Sequence, residues 1–356
     1  MARQAAIVSY RLGGRDGVSV EAGKWAWALR ELGYEVRRVA GEIEDGGAPD
    51  DVVVDDLRID ATTAPDPAAV ADGLAGAELI VVENLCSLPL NPLAARATAS
   101  AAAASGARVV FHHHDLPWQR RNLTHQETEF PPRVPDAVHV TINLRSRREL
   151  QARGFSAHTI HNYFDLDPAP GDRDATRAAF GFGPDDLVVF QPARAIERKN
   201  VPGGVRFATR LTPLIADRTV RYWLSGPAED GYAPTLARVL ERATVPVTIG
   251  RAPSAADAYA ASDVVVFPST WEGFGNPTIE SIAARRPLAA FSYPVLAEIV
   301  ATGVRFFSVD EPADTARFLA QTDANREQYL DVNLRRARLS YSIDELPGAI
   351  EAILQS

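Results

Sequence analysis

Cysteine is nearly absent from this sequence: Cys86 is the only one in 356 residues. No intrachain disulfide can form, which excludes a disulfide-stapled scaffold and suits a reducing compartment. No apolar run reaches the roughly 18 residues of a spanning helix, which excludes a helical integral membrane protein and leaves at most peripheral contact with a membrane. The N-terminus runs into a strand-like segment with no signal-peptide apolar region, so a soluble cytoplasmic protein is expected. Surplus positive charge is lacking too. The net charge is −9, which argues against a nucleic-acid partner bound through overall basicity. Lysine is the scarcest charge: among 37 Lys+Arg residues only Lys24 and Lys199 are lysines. In a chain rich in alanine and arginine, a lysine that persists points to a place where an ammonium is needed.

What is present suits two sizeable cores. Hydrophobic residues make up 46% and charged residues 23% of the chain, which excludes wholesale disorder. The length suggests about two domains. Continuous apolar, β-branched runs recur at 5–10, 78–84, 107–113, 137–143 and 157–162, with further candidates at 34–40 and 51–56. A second series follows at 187–192, 219–226, 245–250, 263–269 and 287–292. Runs that do not alternate with polar residues belong to strands buried on both faces, as in parallel sheets. Helical patterns such as 18–34 and 276–286 lie between them. The fold class predicted is α/β, two doubly wound Rossmann-like domains facing a cleft. No internal repeat is visible. The Pro-, Gly- and Asp-rich segment 164–186 reads as the linker and the entry into the second domain, with domains at 1–166 and 167–335. Ligands of such sheets sit beyond the carboxyl ends of the strands.

The strongest motif follows the run at 263–269: STWEGFGNPTIE, residues 269–280. Gly273 and Gly275 permit a tight turn and close approach of a ligand to the backbone. Pro277 suits a first helical position, and the helix start offers N–H groups and a positive dipole end to a phosphate or to sugar hydroxyls. Glu272 and Glu280 flank that start. Two acceptor-only carboxylates around an anion site make sense for a ligand with a diphosphate between two diols, although acidic residues at a helix start are common on their own account. Upstream, Arg194 and Lys199 follow another buried strand, with Arg198 adjacent. Cations there can neutralise a departing diphosphate by electrostatics alone; a solvated basic loop is the plainer explanation.

Other segments carry weaker signals. His112, His113 and His114 are consecutive, and neighbouring side chains of a strand point to opposite faces, so three cannot easily converge on one ion. No Cys/His spacing supports zinc. His114 and Asp115 suit hydrogen bonding to a hydroxylated acceptor, while His112 or His113 reads as a satisfied core histidine. Gly13, Gly14 and Gly17 form a loop after the first strand that is not G-x-G-x-x-G, so a dinucleotide redox site has little support and a loop cupping acceptor or diphosphate fits better. Asp165 and Asp167 formally read D-x-D but sit in the linker. Arg145, Arg147, Arg148 and Arg153 read as a solvated helix face.

Taken together these segments resemble bacterial GT-B glycosyltransferases of family 4. The resemblance runs over most of the chain: Gly13 and Gly14 in the glycine loop, VVFHHHD ending at His114, IHNYFDLD with Asn162 and Asp165, the Arg-x4-Lys pair Arg194 and Lys199, the Glu-Gly-Phe-Gly and E-x7-E signature of Glu272 and Glu280, and Glu298 after the next strand. Tyr163 stands where glycine is usual, Asn143 where serine is often found, and Glu197 and Arg198 occupy the loop between Arg194 and Lys199. The resemblance implies a retaining transfer of a hexosyl group from a UDP- or GDP-hexose to a hydroxyl on a small molecule, glycan or lipid-linked acceptor. It implies a nucleotide-sugar co-substrate, no other cofactor and no metal. Glu272 would bind hexose hydroxyls and Glu280 the ribose diol. Arg194, Lys199 and the backbone near Gly273, Phe274, Gly275 and Asn276 would hold the diphosphate, and the segment around Arg251 would meet the base. Gly13 and Gly14 would border the donor. His114, Asp115, Glu83 and Asn84 would shape the acceptor side. The segment 336–356 would carry a helix back to the first domain. A sugar-nucleotide epimerase on the same architecture and a non-catalytic nucleotide-sugar sensor are the competing readings. A glycoside hydrolase fits less well, because its two carboxylates must face one another across one bond.

Overall fold

The computed structural model describes residues 3–120, 122–215 and 217–355. The chain divides into two compact units, Met1–Tyr163 with Ile343–Ser356, and Phe164–Ser342. Each holds one all-parallel sheet.

The first sheet contains β1 (Arg3–Leu12), β2 (Tyr34–Ile43), β3 (Val52–Val53), β4 (Leu79–Glu83), β5 (Arg108–His113), β6 (Val138–Thr141) and β7 (Ala157–Thr159) in the order β3-β2-β1-β4-β5-β6-β7. Its central strands β1, β4 and β5 are buried on both faces. In β1, Ala6, Val8 and Tyr10 join one apolar cluster while Ala5 and Ile7 join the other, and β4 divides in the same way. That period of two, with apolar residues turned to both faces, explains the apolar runs in the sequence. The helix Gly17–Glu31 covers one face. Asp16 caps it by accepting from Val18 N at 3.1 Å and Ser19 N at 3.3 Å, and Ala22, Trp25, Ala26 and Leu29 form its buried stripe. The C-terminal helix Leu346–Leu354 adds Leu346, Ile350 and Ile353 to the same cluster. Burial of each large side chain contributes about 1.5–3 kcal/mol.

The second unit contains β8 (Asp186–Gln191), β9 (Thr219–Leu224), β10 (Val247–Ile249), β11 (Val264–Phe267), β12 (Leu288–Ala290) and β13 (Phe307–Ser308), ordered β10-β9-β8-β11-β12-β13. In both sheets the order reverses once, between β1 and β4 and between β8 and β11. Loops leaving the carboxyl ends of such neighbouring strands diverge and open a crevice.

Two expectations need correction. The segment 164–186, read as linker and domain entry, lies wholly within the second unit. It contains the helix Arg173–Phe180, capped by Asp172 and closed by Gly181 at φ 69°. Arg173 and Arg177 of this helix, with Arg218, converge on Asp263 at 2.7, 3.4 and 3.0 Å, which ties the helix to the start of β11. The return to the first unit comes after Ser342; position 335/336 lies inside the helix Asp323–Tyr341. Among the described residues no helix is long and apolar enough to cross a membrane.

Candidate functional site

In the second unit, β8 and β11 pair at the reversal point, so the loops that follow them are neighbours. Lys199 ends a short 3-10 turn, Glu197–Lys199, after β8. Glu272 lies in the loop after β11. Lys199 Nζ donates to Glu272 Oε1 at 2.6 Å, and Arg198 Nη1 donates to Glu272 Oε2 at 2.7 Å and to the Trp271 carbonyl at 3.2 Å. The Lys199 ammonium also lies 5.5 Å from the centre of the Phe267 ring. Glu272 is buried and Lys199 nearly so. Burial opposes ionisation of Glu272, but the attraction of Lys199 and Arg198 overcomes it and holds the carboxyl below its ordinary range. Burial lowers the Lys199 ammonium as well, because Glu272 pulls it up less than burial, Arg198 and Arg194 pull it down. Two cations against one carboxylate leave one positive charge at the crevice.

The turn after Glu272 is built around Gly275, at φ +99°. A Cβ there would fall 2.2 Å from the Tyr293 hydroxyl. That hydroxyl donates to the Phe274 carbonyl at 2.8 Å. The Phe274 ring is buried against Phe164 and Tyr341, with centroids 6.0 and 5.7 Å apart. The helix Pro277–Ala283 starts here, with proline in its first turn. Gly275 O accepts from Thr278 N at 2.9 Å and Asn276 O accepts from Glu280 N at 3.0 Å. Glu280 Oε2 accepts from the Tyr259 hydroxyl at 2.7 Å. Burial and the Glu280 carboxylate push that phenol far above its ordinary range.

In the first unit a second cluster stands at the carboxyl ends of β4 and β5. Strand register places Glu83 opposite His112, and His114 shares the face of His112 because it lies two residues on. Glu83 Oε1 and Oε2 lie 2.9 and 3.0 Å from His112 Nδ1, and Oε2 lies 3.0 Å from His114 Nε2. Glu83 is 0% exposed. Burial opposes its charge, yet the two imidazoles hold its pKa down at about 2. Asn84 adopts a left-handed φ of 56°, and its Oδ1 accepts from His114 N at 3.0 Å and Asp115 N at 3.2 Å. His113 points to the other face. Its Nδ1 lies 2.6 Å from Ser87 Oγ and its Nε2 lies 2.9 Å from His139 Nδ1.

Residues 195–324 match the family described as Glycosyl transferases group 1. Mannosylglucosylglycerate synthase of Petrotoga mobilis is 25% identical over 90% of this chain and 89% of its own length. A D-inositol 3-phosphate glycosyltransferase of Kribbella flavida is 32% identical over 45% of this chain and 41% of its own. The crystal structure of Anabaena Alr3699/HepE in complex with UDP-glucose superposes with a TM-score of 0.72 at 18% identity, covering 99% of both chains. This chain has the GT-B fold and is an enzyme of the glycosyl-transfer class.

Seen residue by residue, the glycosyltransferase groups Lys199, Arg198 and Glu272, and builds Glu280 on the helix that follows. Arg194 is placed differently: its Nη1 donates to Glu229 Oε2 at 2.5 Å, because the loops after β8 and β9 pair through Ala195 and Ala228. Gly273 and Asn276 flank the turn, and the Phe274 side chain belongs to the packing beneath it. Arg251 is exposed in the loop after β10. Gly13 and Gly14 lie in the first unit. Cβ atoms there would fall 2.5 Å from the Asp45 carboxyl carbon and 2.7 Å from Glu44 Oε1, and carboxylates so placed oppose a diphosphate. Glu83 and Asn84 spend their side-chain acceptors inside the protein, so neither offers a ready contact to an acceptor. Asp115 accepts from Arg120 at 2.8 Å. The D-x-D pair forms a turn, Asp167 N donating to Asp165 Oδ1 at 2.9 Å. Arg145 pairs with Glu149 at 2.8 Å, and Arg153 lies 3.8 Å from the centre of the Trp118 ring. Sequence reasoning missed Glu229 and Tyr259. Glu229 sits just past a strand run, where a search for partners of Arg194 could have found it; nothing marks Tyr259.

Proposed function

We propose that the enzyme transfers a hexosyl group from a nucleotide sugar, a UDP- or GDP-hexose, to a hydroxyl of an acceptor, with retention at the anomeric carbon. The observation that carries this reading is the net-positive group of Lys199, Arg198 and Glu272 at the strand-order reversal, next to the turn and helix bearing Glu280. Lys199, with Arg194 and the backbone at Gly275 and Asn276, would hold the diphosphate and offset the charge it gains on leaving. Glu272 would accept from hexose hydroxyls and Glu280 from the ribose diol, with no metal needed. The proton of the attacking hydroxyl would pass to a donor phosphate oxygen on the same face. The solved relative with UDP-glucose supports a nucleotide-sugar donor.

The acceptor is proposed to be a small polyhydroxylated acid. Two groups of relatives carry names that pair a polyol with an acidic group, mannosylglucosylglycerate and D-inositol 3-phosphate. His114 and Asp115 are the first-unit residues proposed to face it.

Thermal-shift titration with UDP, GDP, ADP and their hexose conjugates tests the donor. A nucleotide that binds the folded state alone raises the melting temperature, by about 2.7 kcal/mol of stabilisation at a hundredfold excess over Kd. The expected result is a rise with UDP or GDP that disappears in Lys199→Ala. No rise with any nucleotide overturns the reading. Conversion of the donor's sugar without any acceptor would point to an epimerase instead.

A further inference from the structure

We infer that Glu83 is a positioning residue that orients His114 and holds it as an imidazolium, so that His114 meets the acceptor as a hydrogen-bond donor and not as a base. The inference rests on the glycosyl-transfer reading above for the word acceptor; the charge assignment rests on the cluster alone.

The argument starts from charge balance. An ionised carboxylate shut away from water needs a compensating charge. Glu83 is 0% exposed, and the groups hydrogen-bonded to its carboxylate are His112 and His114. One of them must carry the balancing proton. His112 is the poorer host. Its Nδ1 faces Glu83, and its Nε2 is buried with no hydrogen-bond partner among the described residues. The Trp25 ring lies 4.4 Å from its centre. A charged His112 would bury an unpaired N–H against apolar surface, which is costly. His114 is the less buried of the two, 7% against 1% exposed. The proton therefore belongs on His114.

The surroundings agree. The groups acting on His114 are Glu83 from β4, His112 beside it on β5, Glu21 from the helix Gly17–Glu31, and its neighbour Asp115. Glu21 is itself paired with Lys24 at 2.6 Å, so Glu83 is the carboxylate in direct contact. Burial works against the His114 charge, but Glu83 outweighs it and the imidazole titrates above its ordinary value. With Nε2–H committed to Glu83 and a second proton on Nδ1, His114 has no lone pair to take a proton. That suits a transfer in which the acceptor's proton goes to the donor phosphate, and it suits an anionic acceptor.

Glu83, His112 and His114 also have the composition of a metal site, their ligand atoms lying within 4.8 Å of one another. Histidines that bind metals nearly always donate their other ring N–H to a partner. His112 Nε2 has none, so the hydrogen-bonded form is favoured.

The test is a ¹⁵N imidazole titration of the intact enzyme by NMR, with the His114 signals assigned by their loss in His114→Gln. Both His114 nitrogens should be protonated in the wild type at pH 7. In Glu83→Gln, with folding checked by circular dichroism, the His114 pKa should fall, and the alkaline limb of kcat/KM should move down with it. A role confined to packing would lower activity at every pH without moving either midpoint. A neutral His114 in the wild type, or an unmoved midpoint in Glu83→Gln, overturns the inference, as does stoichiometric divalent metal whose removal by EDTA changes the His114 signals. Nucleotide binding is measured separately, so failure of the donor reading stays distinct from failure of this one.

Discussion

Gly275→Ala should cost the second unit a large part of its stability, and the size can be worked from its surroundings. The residue sits at φ +99°. Alanine pays about 1–2 kcal/mol to hold a left-handed conformation. Its Cβ would also fall 2.2 Å from the Tyr293 hydroxyl and 3.1 Å from Phe267 Cε1, and overpacking of that kind costs about 1–3 kcal/mol. The sum is about 2–5 kcal/mol. For a unit of this size each kcal/mol lowers Tm by about 2–4 °C, so a fall of about 10 °C is the central expectation. Tyr293→Phe removes the clashing oxygen along with its bond to Phe274 and should cost about 1 kcal/mol alone. The double variant should then be more stable than the sum of the two losses. Scanning calorimetry on the four proteins closes the cycle, and Gly23→Ala is the control. Gly23 lies in a helix with nothing within 4 Å of its added Cβ, so alanine there should gain about 0.5–1 kcal/mol. A Gly275→Ala protein melting with the wild type, or a strictly additive double variant, would refute the claim that Tyr293 shapes this turn.

Three further outcomes are expected. Lys199→Ala should lower turnover about a hundredfold or more, equivalent to about 2.7 kcal/mol in the barrier, with an unchanged far-ultraviolet spectrum; a rate near wild type in a coupled nucleotide-release assay rejects its role at the diphosphate. Glu280→Ala should weaken nucleotide binding, and Tyr259→Phe should do so more mildly by releasing one carboxylate oxygen; calorimetric affinities equal to wild type would remove the ribose assignment. The buried His113–His139 pair should make the fold acid-sensitive. Burial depresses His139 from 6.5 to about 4 and holds His113 well below its ordinary range too, so below pH 6.5 the unfolded chain takes up protons that the folded chain refuses. Stability is therefore full above pH 6.5 and falls as pH drops towards 4, by about 3 kcal/mol for His139. Urea midpoints measured from pH 7.5 to 4.5 should show this slope, and His139→Phe should flatten it.

The strands were legible because each is apolar at consecutive positions, as β1 and β4 show. β13 was not, since Phe307–Ser308 is two residues long and half polar, whereas the equally short β3 is a pair of valines. The helix Arg173–Phe180 was hidden because its cap and its closing glycine lent the stretch a loop's composition. Within the site, Glu272, Glu280 and Lys199 stood out by spacing along the chain. Their partners did not. Glu229 meets Arg194 through paired loops, Tyr259 meets Glu280 from a separate helix, and Glu83 meets His112 only through register across two strands. Alternation along the strand already set His113 apart from His112 and His114; what it could not show was that Glu83 waits on their shared face.

The chain's poverty in lysine has a practical side. Both ε-amines are tied into ion pairs, Lys24 with Glu21 and Lys199 with Glu272, each at 2.6 Å. Acylating reagents will find almost no side-chain nucleophile on the outside of this enzyme. Such reagents thus become reporters of the crevice: the mass added at Lys199, with and without nucleotide, measures occupancy without any engineered tag.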